Sequence, residues 1–195
     1  MGQLSKGGER PQPNEFRITS RSQSIVSRPF LRGTLTWIVA FLLVALYFNK
    51  IPFYLAIEFF SAGYVLFEVL PCAVIHLQYL VYNRFATVVI EAEGFSYSDE
   101  SGKQTILLSD VKRVRMRLAP SAIRGTKWVM TVWERYNYAI VDLASGSSLV
   151  LTCLLINDLR GFFESLGWNY VVEETSFPIV RFRTQRDDLG WEIQS

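Results

Sequence analysis

The sequence predicts an α+β membrane protein: a transmembrane hairpin of two helices, then a seven-stranded antiparallel β barrel or sandwich, then one capping helix. Three observations carry that expectation. Phe30 to Tyr82 is apolar apart from a break at Asn49-Lys50; from Ala86 the apolar residues recur at every second position; and Leu159, Phe162, Phe163 and Leu166 return to helical spacing. Composition agrees: 50% of the residues are hydrophobic and 19% charged, below the usual quarter, because the apolar double segment dilutes an ordinary polar balance.

Residues 1–29 are rich in Gly, Pro, Ser, Gln and Asn with few large apolar side chains, a composition unable to bury a core, and are expected to form a disordered basic cytosolic arm. A cleavable signal peptide would place its apolar stretch earlier. The myristoylation pattern fails because Lys6 stands where Ser or Thr is needed.

The hairpin follows over residues 30–82, with crossings at about 30–48 and 51–82. At about 1.5 Å per residue the first reaches ~28 Å, close to the ~30 Å hydrocarbon core, and the second overshoots it by about ten residues. Lys6, Arg10, Arg17, Arg21, Arg28 and Arg32 precede the first crossing, the turn offers Lys50, and Arg84 closes the second. That bias places both termini in the cytosol, with Asn49 outside. Within the second run Glu58 would lie about 10 Å deep, Glu68 about 25 Å deep, and His76 beyond the lipid. An ideal helix puts Glu58 and His76 on one face with Glu68 about 80° away. Glu58, Glu68 and His76 are thus a candidate intramembrane partner face, or else carboxylates that reach the interfaces or pair within the hairpin.

Thr87–Ala92, Phe95–Ser98, Thr105–Leu108, Val111–Leu118, Trp128–Trp133, Tyr138–Leu143 and Ser148–Cys153 read as strands, closely joined and therefore antiparallel. Asn157 is the expected cap of a helix from Asp158, and Gly167 its end. Residues 85–168 would form the domain and 169–195 a tail, in which Ile179-Val180-Arg181-Phe182 either adds a strand to a free edge or belongs to a loosely attached terminus.

Seven short strands followed by one amphipathic helix, with Leu70-Pro71, Ile75-His76-Leu77 and Tyr79 at the end of the second helix, Thr105 to Val114 (TILLSDVKRV) and Tyr138 to Asp158 (YAIVDLASGSSLVLTCLLIND), resembles the membrane-anchored pleckstrin-homology-like (PH domain-containing) proteins of bacteria. The resemblance implies a non-catalytic, PH-like binding or scaffold barrel held at the cytosolic face of the inner membrane. Pleckstrin-homology domains that grip phosphoinositides generally do so with basic residues around the turn after the first strand, where this sequence has Glu91 and Glu93.

The basic candidates lie elsewhere. Arg113, Arg115 and Arg117 share one strand face with Lys112, Arg124 and Lys127 near them. Arg113, Arg115, Arg117, Arg124 and Lys127 could meet an anionic lipid or a partner, whereas the blander reading is a solvated face paired with carboxylates across the sheet. Trp128, Trp133 and Trp168 suit core and rim packing.

Enzymatic chemistry lacks its parts. The single histidine, His76, lies at the membrane helix, so a nucleophile in the barrel has no imidazole base. Cys72 and His76 have no second pair at ligand spacing, no phosphate-cradling glycine loop occurs, and Cys72 and Cys153 suggest no disulfide framework. No cofactor or metal is expected. A net charge of +2 is too small for a nucleic-acid surface. The expected partners are the bilayer, an unidentified protein or second copy, and anionic lipid; the alternative functions are a lipid sensor and an accessory subunit of a transporter or membrane enzyme.

Overall fold

The computed structural model of the protein describes residues 15–47, 52–125 and 131–180. Two four-stranded sheets pack against each other. The first runs β1 (Glu15–Arg17), β2 (Thr87–Glu91), β3 (Gly94–Asp99), β4 (Gly102–Leu107), all antiparallel. In the second the order is β7 (Ser148–Thr152), β6 (Tyr138–Leu143), β5 (Val111–Leu118), β8 (Val171–Glu174), with β8 parallel to β5. Apolar alternation explains the core: Val88, Phe95, Val114, Met116 and Val141 point inward and are almost fully buried.

Helix α5 (Leu159–Ser165) closes this core with Phe162 and Phe163. Its cap is Asp158, whose carboxylate accepts the Gly161 N–H at 3.0 Å, rather than Asn157. The helix ends as expected at Gly167, whose φ of +68° a side chain would resist; Gly167 N–H donates to Glu164 O and Trp168 N–H to Phe163 O, the two bonds of a Schellman turn.

The seven-strand expectation is corrected in one strand. Thr131 is a bend and Val132–Arg135 a 3-10 turn, and residues 128–130 of the expected Trp128–Trp133 strand lie outside the described residues. The missing strand comes from before the hairpin. Glu15–Arg17, assigned from composition to a disordered arm, pairs with β2 (Phe16 opposite Val88), and the Phe16 ring meets Phe162 edge to face at 5.7 Å. One aromatic at the right register is enough to seat three residues; residues 1–14 of the arm lie outside the described residues. With β1 counted, the barrel has strands β1–β7 and helix α5, and β8 is an addition to its second sheet. The two helices are therefore inserted between the first and second strands.

Helix α1 (Ser20–Tyr47) starts ten residues before the expected Phe30. Thr19 is the reason: its Oγ1 accepts the Ser22 N–H while Ser22 Oγ accepts the Thr19 N–H, a reciprocal capping box. The second apolar run is one continuous helix over Phe53–Asn83, made of α2 (Phe53–Tyr64), a π turn at Val65–Val69 and α3 (Leu70–Asn83). Pro71 accounts for the π turn: without an N–H, and with its ring against the carbonyl four residues back, it widens the preceding turn. Leu70 N–H accordingly reaches Val65 O, five residues back.

Helices α1 and α2 pack side by side through Trp37, Phe41, Phe60 and Tyr64. Their outer faces are apolar and exposed, with Tyr47 at 82% and Phe59 at 79%. The helix Phe53–Asn83 is long and apolar enough to cross a membrane; the apolar part of α1, Gly33–Tyr47, is shorter. The expected turn at Asn49-Lys50 lies outside the described residues.

Candidate functional site

The long helix does not swing on a linker; its inner half is bonded to the barrel along one stripe. Glu68, Cys72, Ile75, Tyr79 and Asn83 recur every three or four residues and are all buried. At the hairpin end, the Glu68 carboxylate, 2% exposed, accepts the Val132 N–H at 3.0 Å, with the Trp37 indole as a second donor. The His76 ring meets the Tyr136 hydroxyl at 3.1 Å. At the far end, Asn83 accepts the Thr152 N–H at 3.1 Å and donates to Val150 O at 3.0 Å, so its amide pairs with the β7 main chain as a strand would.

The candidate face of Glu58, Glu68 and His76 is thus divided. Glu58 is exposed on α2, whereas Glu68 and His76 both meet the segment around Val132–Arg135. The π turn is the cause, because an added residue offsets the helical phase by about 100° and invalidates a projection drawn through an ideal helix. Spacing alone hides the turn, although Pro71 four residues after Phe67 is its sequence signal.

The arginine strand lies as projected on β5, yet its charge is largely engaged. Arg115 makes a two-pronged pair with Asp142, Nε to Oδ2 at 2.9 Å and Nη2 to Oδ1 at 3.0 Å, and its side chain is 11% exposed. Arg117 pairs with Glu173 at 2.6 Å and Arg113 reaches the same carboxylate at 3.4 Å. Three guanidinium groups therefore face two carboxylates. Arg124 is exposed just after α4 (Pro120–Ile123), and Lys127 lies outside the described residues. Trp168 packs in the core beside Phe95, and Trp133 against Phe177; Trp128 lies outside the described residues.

A second surface was not legible as a site. The tail segment Phe177–Val180 lies across α3 and β6, held by Gln78, Tyr79, Tyr138 and Trp133. Of the two uses read for Ile179–Phe182, strand addition does not occur at Ile179 or Val180, which lie in no strand, and loose attachment does not describe them either; residues 181–182 lie outside the described residues. Gln78, an amide within the inner part of a largely apolar helix, was the available signal.

Cys153 is buried in this region, and burial pushes its thiol up to about 12. Burial likewise raises Tyr136 above the usual phenol range. Neither is poised as a nucleophile or base at neutral pH. Among the described residues no group of three His, Cys, Asp or Glu side chains could hold a metal ion.

A family model described as PH domain matches residues 15–160, from β1 through the inserted helices and into α5. No curated protein and no solved structure matches the chain.

Proposed function

Because the chain belongs to the PH domain family, we propose that it is a non-catalytic binding or scaffold module whose barrel is anchored at the cytosolic face of a membrane by the inserted helical hairpin. The carrying observation is the contrast along the long helix. Large apolar side chains are exposed from Phe53 to Leu70 and on the outer face as far as Val81, while the opposite face of the inner part is buried at Ile75 and Tyr79 and bonded to β7 through Asn83. An exposed apolar band of this extent calls for lipid or a partner, and the bonded inner part would fix the barrel's orientation beneath it. With the basic residues before the hairpin, the positive-inside bias puts both termini and the barrel on the same side.

Headgroup sensing by the arginine strand is the weaker reading, since Arg115 and Arg117 already hold Asp142 and Glu173. The turn at Glu91 and Glu93 also joins the second and third strands, not the first and second, whose connection is the hairpin itself. An accessory-subunit role rests on Glu58 alone.

The test is topology in intact cells. A cysteine replacing Asn49 is expected to react with a membrane-impermeant thiol reagent from outside, and one replacing Ser98 is not; native Cys72 and Cys153 are buried and give a low background. Labelling at Ser98 but not Asn49 would remove the cytosolic barrel, and labelling at neither would remove the spanning hairpin.

A further inference from the structure

The segment Phe177–Val180 is held in a way that a chain terminus does not require. Its peptide groups are read by side chains and by one local bond, the Ile179 N–H to Phe177 O at 2.9 Å that turns the chain at Pro178, not by a neighbouring strand. Gln78 makes both halves of a clamp on Val180: its Oε1 accepts the Val180 N–H at 2.9 Å and its Nε2 donates to the Val180 carbonyl at 2.8 Å. The Tyr79 hydroxyl donates to Pro178 O at 2.8 Å and the Tyr138 hydroxyl to Ile179 O at 3.1 Å. Three successive residues are thus addressed through main-chain atoms common to any sequence.

Selectivity comes from three positions. Phe177 sets its ring edge to face with Trp133 at 5.1 Å, Val180 is 4% exposed in the apolar cluster of Ile75, Tyr79 and Leu154, and Pro178 lies between them with its φ fixed. The barrel's own core, closed by Phe162, Phe163 and Trp168, is a separate cluster. The segment follows β8, which ends at Glu174, and its hydrogen-bonding partners on α3 lie about a hundred residues earlier in the chain.

We infer that the face formed by Gln78, Tyr79, Trp133 and Tyr138 is a peptide-binding groove, occupied here by the chain's own Phe177–Val180, that accepts from a partner protein a short segment turned at its proline, of the pattern aromatic, proline, any residue, aliphatic. The inference gives the binding-module reading a surface and a ligand class, and rests on that reading only for the existence of a partner; whether the hairpin spans a bilayer does not enter. A short peptide bent at its proline suits the site because its main chain supplies the N–H and carbonyl groups that Gln78 and the tyrosines address. The resident segment has the advantage of attachment, with a local concentration in the millimolar range, so an incoming peptide competes only when the resident is weakened or the partner is itself held nearby.

The experiment uses the full chain in detergent and a labelled synthetic peptide of residues 176–181. Val180→Pro removes the N–H that Gln78 accepts and loosens the resident while leaving the groove intact. Saturable binding to this variant, about tenfold or more tighter than to wild type, is expected, and adding Gln78→Ala should weaken it about tenfold, the worth of a paired amide. Amide exchange at Val180 of unmutated protein gives a readout that does not depend on the variant's folding: excess unlabelled peptide should accelerate it. Absence of peptide binding to a folded Val180→Pro protein, or unchanged exchange at saturating peptide, overturns the inference. A wild-type dimer that Val180→Pro converts to monomer would overturn it in favour of exchange between two copies. Failure of membrane insertion would leave all these outcomes unchanged.

Discussion

The Glu68 carboxylate accepts the Val132 amide at 3.0 Å across 64 residues of chain, and through it the π turn of the long helix is joined to the second sheet's connecting segment. Removing the acceptor leaves a buried N–H without a partner, a loss of about 1–3 kcal/mol. Glu68→Leu is expected to lower the thermal midpoint in detergent and to speed amide exchange at Val132, with exchange in the β2–β3 strands unchanged. Equal acceleration throughout the barrel would show that the bond is not a local latch.

Gly33 of α1 meets the same segment from the other side. A Cβ built there would lie 2.7 Å from Val132 Cγ2, closer than carbon atoms tolerate. Gly33→Ala should destabilise the protein by about 1–3 kcal/mol through overpacking, and Val132→Ala in the same chain should recover most of the loss. Two single costs that simply add would mean that the helix and the segment do not touch in solution.

The arginine face separates into unequal members. Arg115, largely covered and doubly bonded to Asp142, should cost about 1–3 kcal/mol as Arg115→Gln, since it strands a partly buried carboxylate. Arg113, half exposed, should cost under about 1 kcal/mol as Arg113→Gln. Chemical denaturation of the two variants tests the ranking. Liposome binding by the full chain that falls equally in both would restore a lipid role to this strand.

Alkaline stability should follow the buried acids around the groove. Burial raises Cys153 to about 12 and raises Tyr136 as well, so both stay neutral in the folded protein after their unfolded counterparts ionise. The sign is fixed: their contribution is intact below about pH 8.5, and it declines as pH rises from there toward 12. Thermal midpoints measured between about pH 8 and 10.5 should fall, with a shallower slope in Cys153→Ala. An unchanged slope would assign the alkaline loss to other groups.

Phe163 tests the closing helix. It is fully buried between Phe162 and Trp168, and Phe163→Asp removes that packing and buries a charge, a cost of about 3–5 kcal/mol or more. Proteolysis of the variant in membranes should degrade the barrel and spare the hairpin. Wild-type resistance would show that α5 does not close the core.

Periodicity by itself determined the apolar double segment, six of the barrel strands and the stripe and end of α5, because each follows from local alternation or from one residue's conformational freedom. Val111–Leu118 and Tyr138–Leu143 coincide with the observed strands. The same local logic placed the three arginines on one face and could say no more, since Asp142 and Glu173 reach them only through pairing with β6 and β8. Only the tertiary structure decided that Glu15–Arg17 is the barrel's first strand: three residues carry too short a pattern, and Phe16 is seated by Phe162, far along the chain. It likewise decided the phase of Glu58 against Glu68, through a π turn that the i to i+4 spacing does not express, and the docking of Phe177–Val180, whose main chain is claimed by side chains 41 to 102 residues away. Long-range pairing of main-chain groups carries no sequence period, and for that reason the groove appears only in the folded molecule.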